Sequence, residues 1–348
     1  IVARSNSRPP TAGPRDSGEV VASPGPFPTL PAGASHDSKE GYATIAVYYA
    51  TDRAKDSVPL SAYNITGNRD ALVLLGGAAI AFGLIAGWNL MRKRSSAGLA
   101  FGACGSVAAA GATLVVLSGA ANIEKRGVTY SADRGRIVKG IAEVTVPDTH
   151  QRGVVERPSL LRFEVREDQQ DHIVLTSAIE LSGNDFNRRL AETVALSPKR
   201  DLLVFIHGYN VDFESAVQRT AQIAVDLPFE GVPICYSWPS QGTLFGYTVD
   251  ETNAAWTQSH LKQFLLDLAR DSGAQSINVV AHSMGNRPTT GAMVEIGWQE
   301  QHRDASRGDG SSTEKLFDRV VLAAPDVDAD RFRRDIAPSL SKVADHVT

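Results

Sequence analysis

One serine stands where a nucleophile would. The segment Val279-Val280-Ala281-His282-Ser283-Met284-Gly285 puts Ser283 at the end of an apolar strand, with a helix start behind it. A tight strand-to-helix turn lifts a serine hydroxyl above the edge of a sheet, where it can attack an acyl carbon. Small residues on either side, Ala281 and Gly285, let such a turn pack against its neighbours, although the usual first glycine is alanine here. Pro288 falls early in the following helix, where a missing amide costs least. Alone, A-x-S-x-G is a common pattern; its place directly after two valines gives it weight.

A second segment, Phe205-Ile206-His207-Gly208-Tyr209-Asn210, closes another apolar strand. A His-Gly pair at such a strand end shapes the loop that supplies one oxyanion amide in serine hydrolases. The second amide is that of Met284, next to the nucleophile, and two fixed N–H donors contribute a few kcal/mol each. His207 reads as a structural histidine of its own loop and not as the general base. Tyr236, Trp238 and Pro239 end a further strand on the same edge, and either line an acyl or leaving-group pocket or simply pack the strand end. Asp250 and Asn253 read as caps of the next helix.

These segments need a scaffold. From residue 201 onward, apolar runs of strand length (202–206, 232–236, 277–281, 320–324) alternate with helical stripes over 213–227 and 253–270. Strand–helix–strand units of this length imply an α/β fold, a mostly parallel sheet with helices on both faces. Upstream, 43–50, 140–147, 161–165 and 173–175 read as strands. Residues 1–40, with seven Pro, six Ser and four Gly, read as a disordered tether, and 41–70 as an N-terminal β segment.

Between the β segments lies a different composition. Ala71–Met91 carries no charge, Arg92-Lys93-Arg94 follow, and Ser95–Ile123 is again uncharged. Each stretch exceeds the roughly 20 residues that cross a ~30 Å hydrocarbon core. Residues 71–123 therefore read as a transmembrane helical hairpin with a basic turn. Gly83 and Gly87, and Gly98 and Gly102, have the small-xxx-small spacing of close helix packing. The basic turn places both flanks on the non-cytoplasmic side, the periplasmic one in a bacterial envelope, while Lys125, Arg126, Arg134 and Arg136 pull the other way.

Composition narrows the classes. The 348 residues hold 35 Lys+Arg against 39 Asp+Glu, a formal net charge of −4, so no basic excess points to nucleic acid. Two cysteines, Cys104 and Cys235, make no disulfide scaffold. No motif asks for a metal or an organic cofactor.

In this order and spacing, HGYNVDF (207–213), YSWPSQG (236–242), AHSMGNR (281–287) and LAAPDVD (322–328) resemble a bacterial alpha/beta-hydrolase family of unknown function in the esterase/lipase superfamily. YYATDR (48–53) and the stretch 144–153 are similar to that family's N-terminal β region. The resemblance covers about 43–58 and 125–348, with the hairpin inserted between, and makes 124–348 the hydrolase domain. It implies Ser283 as nucleophile, the amides of Met284, Gly208 and Tyr209 as oxyanion donors, and His207, Asn210, His282, Tyr236 and Trp238 around the substrate pocket.

The triad is incomplete in this reading. Hydrolases of this fold run Ser, then acid, then His along the chain. After Ser283 come only His302, in a polar segment, and His346, near residue 348. The family pattern places the histidine beyond a further strand and helix, so the base and the last strands are expected past the residues given. Asp326 and Asp328 are the acid candidates in place. Two functions stay open: a membrane-associated serine hydrolase cleaving small-molecule or lipid-like esters, with membrane lipids as its surroundings, and a catalytically degenerate fold serving as an envelope binding or scaffold module.

Overall fold

A computed structural model describes residues 27–56, 69–157, 167–242, 246–307 and 315–348. The strand expected over 161–165 lies outside these residues. Among the described residues nine strands form one sheet: β1 (Ser35–Asp37), β2 (Tyr42–Asp56), β3 (Thr129–Pro147), β4 (Val174–Leu181), β5 (Asp201–Ile206), β6 (Val232–Ser237), β7 (Ser276–His282), β8 (Phe317–Ala323) and β9 (Ala344–Val347). Their order is β4-β3-β2-β6-β5-β7-β8-β9, with β1 beside β2. The pairings from β2–β6 through β8–β9 are parallel, whereas β1–β2, β2–β3 and β3–β4 are antiparallel.

The continuous apolar runs become the central strands because both faces of them are covered. Leu202 to Ile206 are all buried in β5. Helix α4 (Phe213–Asp226) lays Phe213, Ala216, Val217, Ala221 and Val225 against Ile45, Val47, Tyr49 and Val144 on one face. On the other face, α3 (Gly183–Val194), α5 (Tyr247–Asp271) and α6 (Asn286–Arg307) bury Phe186, Leu190, Leu261, Phe264, Leu265 and Met293. Ser182 caps α3 by accepting from the Asp185 N–H, and Asp212 caps α4 by accepting from that of Ser215. Past β8, α7 (Ala329–Arg331), a π-helical turn (Phe332–Ile336) and α8 (Ala337–Val343) lead to β9.

Residues 27–40 correct the tether reading where they are described. Ala32 is buried and donates its N–H to Gly231 O, and β1 pairs with the start of β2. Specific docking of a short Pro-rich segment has no periodic signature, so composition alone misassigns it.

Helices α1 (Arg69–Met91) and α2 (Ser95–Arg126) are inserted between β2 and β3. Within them Leu72–Met91 and Ser95–Leu117 are long and apolar enough to cross a membrane, with mean hydropathy 1.8 and 1.9. Only 6% and 11% of these windows are buried, so Leu74, Ile80, Leu84, Leu99, Val107 and Leu114 face outward, unlike the side chains of a core helix. The expected glycine seam is corrected in detail. A Cβ on Gly98 would meet Leu90, on Gly105 the Ala79 carbonyl, and on Gly111 Leu75, whereas Gly87 and Gly102 face open space. The helices touch along Gly98, Gly105 and Gly111, close to a seven-residue repeat, the period at which one face of a helix stays on its partner. The Arg92 guanidinium lies 4.5 Å from the Trp88 ring at the basic turn.

Candidate active site

Ser283 follows the last residue of β7 and opens a single 3₁₀ turn, Ser283–Gly285, that leads into α6. Its φ is +51°, a left-handed conformation that costs a residue with a side chain roughly 1–2 kcal/mol. That strain persists because the surroundings over-determine the turn. Met284 behind it is buried in the core. Asn286 donates through Nδ2 to Ser283 O at 2.8 Å and to Ala323 O at 3.3 Å, tying the turn to the end of β8. The Asp326 N–H also donates to Ser283 O, at 3.3 Å.

Two glycines let β5 approach. A Cβ on Gly285 would sit 2.3 Å from His207 O, and one on Gly208 would sit 2.8 Å from Ser283 Cβ. Gly208 therefore brings the 207–212 loop against the serine, as an oxyanion loop requires. Ile206 pairs with Ala281 across β5 and β7, so Gly208 and Ser283 stand level at the carboxyl edge of the sheet.

The carbonyls of this loop are held from behind. Trp238 Nε1 donates to His207 O at 2.7 Å, and His207 Nδ1 donates to Gly208 O at 2.8 Å. In a planar trans peptide the N–H points opposite to the carbonyl. Fixing these two oxygens therefore fixes the Gly208 and Tyr209 amides, two of the three donors the resemblance implies.

His207 is a prop for this loop. It is buried, stacks on Trp238 with ring centroids 5.1 Å apart, and its Nε2 lies 3.3 Å from Ser237 Oγ. Burial, and then the charge of Arg53, push its pKa down to about 3. Since an unfolded histidine titrates near 6.5, the unfolded chain binds the extra proton first. The stability contributed by neutral His207 is complete above about 6.5 and is lost as pH falls towards about 3. Thermal unfolding of the wild type is expected to lose ground through this window, and His207→Gln to have a flatter pH dependence; equal slopes would remove His207 as the cause.

Tyr236 and Trp238 are corrected as pocket residues: both are fully buried. Tyr236 reaches Asp52 Oδ2 (3.2 Å) and Thr257 Oγ1 (2.9 Å) beneath α5. Asp250 and Asn253 are corrected as caps. Gly246 occupies the N-cap of α5, and Asp250 instead accepts from the Gln241 N–H (2.7 Å), Ser240 Oγ (2.5 Å) and the Asn210 N–H (3.4 Å). Asn253 donates to Pro239 O at 2.6 Å.

His207, Gly208, Asn210 and His282 line a cavity of about 670 Å³ with Arg157 and Arg219. Val280 and His282, alternate residues of β7, both face it, so it lies on the α4 side of the sheet, opposite Ala281. Burial and then Arg219 hold His282 below the usual histidine range.

Asp326 Oδ2 accepts from Tyr247 Oη and is paired with Arg287 Nε, each at 3.2 Å. Arg287 also pairs with Glu251, and Tyr247 stands edge-on to Tyr209. This cluster beside Ser283 went unread in the sequence; Arg287 ends the AHSMGNR segment, and its adjacency to Ser283 was the available signal. Asp328 caps α7 by accepting from the Arg331 N–H. Among the described residues, no histidine bonds Ser283 Oγ. His302 lies sixteen residues into α6, about 24 Å along the helix. His346 pairs with Arg319, four residues short of Ala323, which stands level with His282, about 13 Å down the sheet.

A left-handed serine between a parallel strand and a helix, faced by a glycine loop from the adjacent strand, defines an alpha/beta-hydrolase fold. Residues 182–348, just under half of the chain, match the family model described as alpha/beta hydrolase of unknown function. The match begins downstream of β2 and β3, which complete the same sheet. No curated protein and no solved structure matches the chain.

Proposed function

We propose that the protein is a membrane-associated serine hydrolase acting on lipid-like or other small esters. The left-handed Ser283 at the carboxyl end of β7, in contact distance of the Gly208 loop, carries the reading. Ser283 Oγ attacks the ester carbonyl and loses its proton to a base. The carbonyl oxygen becomes an oxyanion held by the Met284, Gly208 and Tyr209 amides, and its collapse expels the alcohol and leaves an acyl-serine that water hydrolyses. Asp326, whose N–H donates to Ser283 O, is the acid candidate beside the serine; Tyr247 and Arg287 engage its Oδ2, which leaves Oδ1 to orient a histidine. Neither His207 nor His282 is placed as the base.

That last observation favours a second reading, a degenerate fold that binds without turnover. Labelling of the natural-length protein with a fluorophosphonate separates the two, because covalent capture needs an activated serine. A labelled Ser283 peptide supports the hydrolase; an inert serine in the folded protein leaves the binding module.

The membrane part rests on the outward apolar surface of α1 and α2, with the catalytic domain on the non-cytoplasmic side by the charge of the basic turn. Asp56 and Thr129 are register partners, so a two-residue Asn-Gly turn can replace residues 57–128. The full chain is expected to stay with membranes through an alkaline carbonate wash and the shortened chain to be released folded. Release of the full chain would end this part of the reading.

A further inference from the structure

The motif YYATDR supplies a side chain that the proposed chemistry does not use. Arg53, at the end of β2, is 2% exposed, and its guanidinium reaches three separate segments. Nη2 donates to Val211 O at 2.7 Å, and Nη1 donates to Ser240 O at 3.0 Å and Ser131 O at 3.2 Å. Nε donates to Ser237 Oγ at 2.9 Å, and the same oxygen lies 3.3 Å from His207 Nε2. Because His207 Nδ1 donates to Gly208 O, one chain of hydrogen bonds runs from Arg53 through Ser237 and the imidazole to the Gly208 carbonyl. The direct bond to Val211 O holds the other end of the same loop.

Asp250 completes the hold. It is fully buried and accepts from the Asn210 N–H on one loop and from Ser240 and Gln241 on the other, while the Val211 N–H donates to Ser240 Oγ at 3.2 Å. Asn210 itself has a φ of +58°, a conformation that has to be held from outside. Two carbonyls, of Gly208 and Val211, and two amides, of Asn210 and Val211, are thus held within the four residues 208–211. A planar fork with five donors reaches all four acceptors; an ammonium, whose three donors diverge from a single nitrogen, cannot.

From this geometry we infer that Arg53, with Asp250, is a positioning residue for the oxyanion loop, setting the direction of the Gly208 and Tyr209 amides from about two strands away. The inference rests on the proposed hydrolase for its catalytic consequence but not for its structural one. Burial lowers the Arg53 pKa to about 10, opposed by Asp212, Asp52 and Asp250, so the guanidinium stays charged at neutral pH.

The test uses the natural-length protein with Arg53→Lys and Asp250→Asn, and two readouts. Amide hydrogen exchange at residues 208–211 is expected to quicken in both variants while β7 and α6 keep their protection. The rate of fluorophosphonate labelling per folded molecule is expected to fall roughly 10²-fold, the scale of an ångström misplacement, with affinity for a non-reactive ester analogue unchanged. A merely structural arginine would lower the melting temperature and leave the labelling rate of folded molecules alone, and that result overturns the inference. Unchanged exchange at 208–211 overturns it as well. An unlabelled wild type instead overturns the hydrolase reading, and the exchange data then decide the role of Arg53 alone.

Discussion

Ser283→Ala is expected to reduce fluorophosphonate labelling of the natural-length protein to background, because losing the nucleophile of a working triad costs on the order of 10⁶ in kcat. Ser283→Gly should abolish labelling equally and should also stabilise the fold. Glycine adopts the +51° φ of this position without steric penalty, whereas serine and alanine do not. Against the relief stands the larger entropy of an unfolded glycine, so the net gain is up to roughly 1 kcal/mol, or about 2–4 °C in melting temperature for a domain of this size. The pair separates chemistry from conformation. Labelling that survives either change ends the nucleophile assignment, and a destabilised Ser283→Gly ends the left-handed turn.

The two glycines beside the serine should fail in different ways. At Gly285 an added methyl would lie 2.3 Å from His207 O and 3.0 Å from Ile206 O, both backbone atoms of the central strand and its exit. Neither can move without parting β5 from β7, so Gly285→Ala is expected to cost roughly 3 kcal/mol or more. At Gly208 the methyl would lie 2.8 Å from Ser283 Cβ and 3.0 Å from His282, and the loop can yield. Gly208→Ala should therefore stay folded and lose about 10²-fold in labelling rate. Chemical denaturation beside labelling kinetics checks both; similar losses of stability in the two variants would contradict the packing described.

Much of the scaffold was legible because burial on both faces writes continuous apolar runs. Residues 202–206 and 277–281 became β5 and β7 to within a residue at each end. The first half of β3, by contrast, reads SADRGRIVK and was missed, since its order comes from pairing with β2 and not from an apolar face. Helix α5 begins at Tyr247, six residues ahead of its apolar stripe, because Asp250 and Asn253 in those turns are buried by polar contacts to the 238–241 loop. The placement of Ser283, Gly208 and Met284 together at the carboxyl edge of the sheet was readable from motif and spacing. Arg53 was not, although its motif was noticed: its partners are backbone carbonyls 78 to 187 residues away, and nothing local marks an arginine for such a place. Tyr236 and Trp238 were placed on the right edge, but strand alternation could not say that α5 and the 207–212 loop cover them.

The pairing of β2 with β3 carries a consequence of parity. These strands run side by side from Tyr42↔Pro147 to Asp56↔Thr129, and everything between Asp56 and Thr129 must leave and return to one place. A chain that crossed a bilayer an odd number of times in that interval would leave the halves of one sheet on opposite faces of the membrane. Only an even count lets the sheet close, and two is the smallest that is not zero. In the proposed membrane hairpin both ends of the insertion would thereby share a compartment whatever their individual charges, so Arg92, Lys93 and Arg94 at the far turn would stand alone against the summed charge of both flanks in setting which way it points.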